Sequence, residues 1–189
     1  MNKFREYIET IANVSAKDWL VFSSYLKKRE IEKKTTFLNM GQIENNISFI
    51  EKGKVRLFIP KEEEEKEITF GFSFQGEFVS AYDSFLTQTP SRFELETLAD
   101  TTLWSISFND LQEVYKTTII GNTIGRFISE RLFLIKSKRE QNLLNLPAEE
   151  LYMKLFKERP KLIKEIPLKY ISSYIGVTAQ ALSRIRKRI

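Results

Sequence analysis

Residues 168–189 read "LKYISSYIGVTAQALSRIRKRI", and the spacing inside this stretch decides the fold. Leu168, Ile171 and Ile175 fall three and four apart, the interval at which side chains share one face of a helix. Gly176 then enters the left-handed region without steric cost, which ends one helix and lets the next leave at a steep angle. Thr178 offers a side-chain oxygen at the start of a second periodic run and is the predicted cap. Leu182, Ile185 and Ile189 form the apolar stripe of that second helix, while Gln180, Ser183, Arg184 and Lys187 line its other side. Two short helices joined by a tight glycine turn make a helix-turn-helix. The free side of the second helix carries amide, hydroxyl and guanidinium groups, the set that reads base edges and grips phosphates in a DNA major groove. The same pattern also fits an amphipathic helix packed on the body with a solvated basic side.

Charge is concentrated in the same place. From Lys161 onward there are seven basic residues against Glu165 alone, a balance of +6, more than the +5 of the entire 189-residue chain. A polyanionic partner for this end follows, and double-stranded DNA is the first candidate. An anionic membrane would attract the same charge, but the helix lacks the large aromatic side chains that anchor an interfacial helix, so no membrane partner is expected. No run is long enough to span a bilayer and "MNKFREYIET" has no signal-peptide pattern, which predicts a cytoplasmic protein. The chain has neither cysteine nor histidine. That removes disulfides, thiolate nucleophiles, zinc fingers, iron–sulfur clusters, histidine triads and cysteine- or histidine-ligated haem, and no carboxylate constellation suggests an enzyme or a metal site.

Working back from the C-terminal pair, "AEELYMKLFKERP" is a further helix opened by the break at Pro147. Before it, Ile120, Ile124, Ile128, Leu132 and Ile135 follow at steps of three and four along one long helix. That stripe is covered either by the chain's own body or by the same helix of a second chain; the second arrangement makes a two-fold homodimer and is the one expected. Between about Glu30 and "LWSISFNDL" the chain runs in short Ile-, Phe-, Thr- and Val-rich segments broken by turn residues, the signature of a barrel or jelly roll. "EKGKVRLF" reads as a hairpin with Gly53 at its turn, and the acidic run Glu62 to Glu65 as a solvated hairpin tip. Residues 1 to about 28 read as helical, with Phe4, Ile8 and Ile11 on one face and Ser15 capping a second helix.

A β-roll, a long linking helix and a helix-turn-helix, in this order, resemble the CRP/FNR family of bacterial transcription regulators. The resemblance rests on "FIEKGKVRLF", with the family's Gly-x-Val-Arg at Gly53, Val55 and Arg56; on "FQGEF", similar to the Gly-Glu of its phosphate-binding cassette at Gly76 and Glu77; and on the closing helix pair. It implies an α+β fold: an N-terminal double-stranded β-helix (jelly-roll-like) sensor domain with its N-terminal helices over 1–115, a linking and dimerisation helix over 116–146, and a helix-turn-helix domain over 147–189 that ends without a wing. It also implies a homodimer on a palindromic DNA site, with RNA polymerase as a further candidate partner.

By that resemblance the base-facing positions fall on Ala179, Gln180 and Arg184, with Thr178 and Ser183 beside them. Arg184 suits a bidentate pair with guanine and Gln180 one with adenine, whereas Ala179 reaches at most a thymine methyl. Lys187 and Arg188 suit phosphates. For the roll, the family pattern would hold a cyclic nucleotide through backbone N–H groups near Gly76, a ribose contact from Glu77 and an arginine on the phosphate. That arginine site falls on Ser91, and Arg92 lies one residue late, which in a strand turns the side chain to the opposite face. Leu134 and Ile135 stand where relatives present hydroxyls to the base. The expected roll therefore senses a small ligand other than a cyclic nucleotide, or none, and Glu77 has the alternative role of an acid satisfied by local backbone. The competing reading of the whole is a ligand-binding signalling module whose basic end docks on an acidic partner.

Overall fold

The computed structural model describes residues 1–63 and 66–188; Glu64 and Glu65 of the acidic run and Ile189 of the terminal stripe lie outside them. Two compact units result, one formed by Met1–Phe58 with Phe72–Glu130 and the other by Ile59–Gly71 with Arg131–Ile189.

The first unit begins with α1 (Asn2–Glu9) and α2 (Ala16–Ser24). Ser15 caps α2, its Oγ accepting the Asp18 N–H at 3.0 Å. The strands follow: β1 (Lys27–Ile31), β2 (Thr36–Leu38), β3 (Asn46–Lys52), β4 (Lys54–Ile59), β5 (Ile68–Phe74), β6 (Phe78–Val79), then α3 (Tyr82–Thr87), β7 (Glu94–Thr97) and β8 (Thr101–Ser107). They form two four-stranded sheets, ordered β1-β8-β3-β6 and β2-β7-β4-β5. This is the jelly-roll expectation in detail, because successive strands alternate between the sheets except β4 and β5, which are neighbours in one of them.

That alternation corrects the reading of Gly53. β3 and β4 are not partners in a hairpin; Gly53 is the corner where the chain leaves one sheet for the other. It has φ +105°, and a Cβ there would lie 2.7 Å from the Thr101 Cα, so both conformation and close approach require glycine. Gly76, at φ +86°, makes the equivalent corner between β5 and β6.

Ile50, Val55, Leu95 and Leu103 are fully buried, and Ser48 and Ser105 pair their hydroxyls at 2.7 Å across β3 and β8. The register puts Phe49 and Trp104 on the other face of that sheet, where Phe4 of α1 stacks on Phe49 at 4.7 Å and meets Phe22 and Phe78 edge-on. The helix α4 (Phe108–Thr117), capped by Ser107, and the opening turns of α5 (Ile119–Asn145) complete this unit.

The apolar stripe of α5 divides. Ile120, Ile124 and Ile128 are buried in the first unit of their own chain, so this part of the stripe is covered from within. Farther along, Phe133, Leu134 and Ile135 are exposed.

The second unit contains the rest of α5, then α6 (Ala148–Glu158), α7 (Pro160–Glu165), α8 (Leu168–Ile175) and α9 (Ala179–Arg188). Its core is Leu151, Tyr152, Leu162, Ile166, Ile171, Ile175, Leu182 and Ile185. No single cut in the sequence yields this unit, because the segment Ile59–Gly71, from the end of β4 into β5, belongs to it.

Candidate nucleic-acid interface

The helix pair forms as its sequence dictates. Gly176 takes φ +79°, ψ +28°, the Val177 N–H returns to the Ser172 carbonyl at 3.0 Å, and the chain leaves α8 through a left-handed cap. Thr178 then caps α9, its Oγ1 accepting the Ala181 N–H at 3.1 Å. Leu182 and Ile185 go into the core.

Their burial fixes what α9 presents. Gln180, Arg184 and Lys187 are exposed at steps of four and three, so they share one free face; Ala179 and Ser183 are half-buried beside it, and Thr178 is exposed at its start. Arg188 is different, because its guanidinium is paired with Glu149 of α6 at 2.8 Å. Both partners are exposed, so the pair is weak and phosphate can compete for the arginine.

Two contacts that the sequence does not announce hold α8. The Ser173 hydroxyl donates to the Glu67 carbonyl at 2.7 Å and accepts the Thr69 N–H at 2.9 Å, so one side chain satisfies two backbone groups at the start of β5. Next to it, Arg139 of α5 donates to the Tyr174 carbonyl at 3.1 Å and lies 4.7 Å from the centroid of that ring. A serine one turn from a helix end has many uses, and nothing local marks this one.

Three of the four residues assigned to an effector are otherwise occupied. The Gly76 N–H donates to the Ile50 carbonyl at 2.9 Å and the Glu77 N–H to the Phe74 carbonyl at 3.0 Å. The Glu77 carboxylate closes on the Phe74 N–H at 2.9 Å, the local structural role read as its alternative. Ser91 is buried, its Oγ donating to the Phe93 carbonyl at 2.7 Å, and Arg92 beside it is exposed. The one-residue slip read from the sequence therefore places Ser91 inward and Arg92 outward.

Two buried charged residues had no assigned role. Arg56 of the Gly-x-Val-Arg motif is 2% exposed, 3.7 Å from the Glu96 carboxylate and 4.2 Å from the Phe58 ring centroid. Register pairs Arg56 with Glu96 across β4 and β7, so the contact is a cross-strand pair. Glu44 is also buried; its carboxylate accepts the Asn46 N–H at 2.9 Å and the Ala81 N–H at 3.4 Å. Burial holds its pKa above the ordinary carboxylate value, against the pull of those N–H groups and of Arg29.

Comparison with known proteins agrees with this architecture. Residues 28–118 match the profile of the cyclic nucleotide-binding domain family. No curated protein matches the chain in sequence. Among solved structures, the chain is similar to CLP of Xanthomonas campestris, described as a c-di-GMP-responsive global regulator, with a TM-score of 0.69 at 18% identity over 92% of this chain and 91% of that one. It is similar to FixK2 of Bradyrhizobium japonicum, with a TM-score of 0.70 at 15% identity over 86% and 83%. A Crp/Fnr-family transcriptional regulator of Eubacterium rectale gives 0.68 at 16% over 93% and 83%. The roll thus matches the cyclic nucleotide-binding domain profile and has the two-sheet jelly-roll architecture. With the long helix and the helix-turn-helix that follow it, the chain shares the fold of these solved structures, one of them a Crp/Fnr-family regulator.

Among the described residues no helix is long and apolar enough to cross a membrane, and no cluster of three acidic side chains is placed to hold a metal ion.

Proposed function

We propose that this protein is a transcription regulator that binds a palindromic DNA site as a homodimer, reading sequence with α9. The observation that carries the reading is the shared, exposed face of Gln180, Arg184 and Lys187 on a helix whose other face is locked in the core by Leu182 and Ile185. A helix held in this way presents an amide and a guanidinium to base edges, with Lys187 and Arg188 on phosphates. The exposed Phe133, Leu134 and Ile135 supply an apolar surface for the second copy. In a dimer the two α9 helices would lie about one DNA turn, roughly 34 Å, apart. RNA polymerase is a candidate partner of the DNA-bound dimer.

The bonding of Gly76, Glu77 and Ser91 and the exposure of Arg92 support a roll that does not take a cyclic nucleotide through these four residues. An effector, if the roll takes one, would act by binding two arrangements of the dimer with different affinity.

Selection from random double-stranded DNA with purified protein at near-physiological salt tests the proposal. Enrichment of a palindrome is expected; retention of DNA with no sequence preference, lost as salt is raised, would reduce α9 to a nonspecific polyanion contact.

A further inference from the structure

The free face of α9 has two edges, and the buried stripe fixes both. Successive residues of a helix turn by about 100°, so residues three or four apart lie side by side. Arg186 follows the buried Leu182 by four positions and Arg188 follows the buried Ile185 by three, which sets one arginine on each border of the stripe. Gln180, Arg184 and Lys187 occupy the arc between these borders on the far side of the helix. Arg186 is also two positions beyond Arg184, about 200° round the axis, so the two guanidinium groups leave the helix on nearly opposite sides.

The two edges differ in what folding has done with them. Arg188 is paired with Glu149 of α6. Arg186 is exposed and has no hydrogen bond or ion pair among the described residues. α9 itself contains no acidic residue to neutralise it. Its planar fork of N–H donors is therefore free for a partner that accepts two of them at once, as a carboxylate or a phosphate does.

A helix with its side chains is about 10–12 Å across and the DNA major groove about 12 Å wide, so a helix lying in the groove nearly fills it. Each edge of the free face then meets one of the two phosphate backbones that border the groove. We infer that Arg186 grips a backbone phosphate at the groove edge opposite Arg188, so that α9 is held from both strands. The inference rests on the proposed DNA-reading function and deepens it, because a phosphate contact adds affinity without sequence information. A cation in the last turn can instead steady the helix dipole, a role confined to the fold.

Binding of the full chain to two duplexes, one taken from the selection and one of random sequence, tests the contact. Fluorescence anisotropy follows each between about 50 and 200 mM salt. A dimer carries Arg186 twice, so Arg186→Ala should reduce the slope of log K against log salt by about 2 on both duplexes. It should weaken both roughly ten- to thirtyfold near physiological salt and leave their ratio unchanged. Arg186→Lys keeps the charge and should keep the slope. Lys17→Ala, which removes an exposed cation of α2 in the first unit, should also leave it unchanged. The slope losses of Arg186→Ala and Arg188→Ala should add in the double variant, as two separate phosphates require. Thermal unfolding of each variant reports the dipole role separately.

An unchanged slope in Arg186→Ala, an equal fall in Lys17→Ala, or a changed ratio between the duplexes would overturn the phosphate contact. A double variant no worse than either single one would overturn its placement on a second edge. Failure of base reading has a different signature, wild type binding both duplexes equally, and the random duplex still tests Arg186 in that case.

Discussion

The free face of α9 and three of the assigned residues of the roll, Gly76, Glu77 and Ser91, make opposite use of similar chemistry. On α9, Gln180, Arg184 and Lys187 extend from a helix whose own backbone is internally satisfied, and they are exposed. In the roll, the Gly76 and Glu77 backbone, the Glu77 carboxylate and the Ser91 hydroxyl all close hydrogen bonds within the domain. A polar side chain marks a binding site when folding leaves its bonding capacity free, and a structural element when folding uses it. The Gly-Glu motif that marks a ligand pocket in a family pattern makes hydrogen bonds within the domain here.

The sharpest way to break this contrast is Arg184→Ala. Losing one bidentate contact costs about 1–3 kcal/mol of discrimination, so a selected site should lose roughly ten- to a hundredfold preference over its variant at one position while thermal unfolding is unchanged. Equal affinities of wild type and variant for that site and its mutated version would remove α9 as the reader. Ser91→Ala should do the reverse. Its hydroxyl serves the buried Phe93 carbonyl, and removing it leaves that group unpaired at a cost of about 1–3 kcal/mol in unfolding free energy by urea titration, with DNA preference intact.

How much of this was legible before folding follows from the range over which each signal acts. The Gly176 turn, the Thr178 and Ser15 caps and the α9 stripe depend on residues within one or two helical turns, and their reading agrees with the structure. Ser91 is buried and Arg92 exposed as the slip predicts, but both lie in the segment before β7 (Glu94–Thr97), so the strand-face argument does not itself explain them. Gly53 shows the limit. Locally a hairpin and a sheet-to-sheet corner ask for the same positive-φ residue, and only the distant Thr101 backbone distinguishes them. Ile120, Ile124 and Ile128 carry a periodic stripe whichever surface covers them, so the expectation of a second chain there missed that the first unit itself buries these three. Ser173 and the pair Arg56–Glu96 were invisible because their partners lie across strand pairings or more than a hundred residues away.

Glu44 extends the comparison to a buried carboxylate that folding uses incompletely. Its folded pKa is raised, so it contributes stability fully below the unfolded value, and that stability is lost as pH rises through the folded value. Unfolding free energy should therefore fall as pH climbs out of the ordinary carboxylate range. In Glu44→Gln that slope should be absent. Urea titrations across this range measure it directly, and an unchanged slope in the variant would assign the pH dependence to other carboxylates.

Arg92→Ala carries the smallest expected effect and bears most directly on the roll. If the exposed arginine serves nothing in the fold, its removal changes unfolding free energy by no more than about 0.5 kcal/mol. If it also serves no phosphate, cyclic AMP should leave the unfolding temperature of wild type and variant alike unmoved, because a ligand raises that temperature only by binding the folded state. A rise in wild type that disappears in the variant would mean that the segment around Ser91 rearranges to turn Arg92 inward. That rearrangement must first break the buried bond from Ser91 Oγ to the Phe93 carbonyl, so it would be accompanied by loss of the protection that Ser91 gives the strand start. Hydrogen exchange at Phe93, whose N–H lies 3.3 Å from the same hydroxyl, would report it. Slow exchange there in saturating cyclic AMP fixes Ser91 as structure, and the two halves of the molecule remain divided between residues that folding uses and residues that it leaves free.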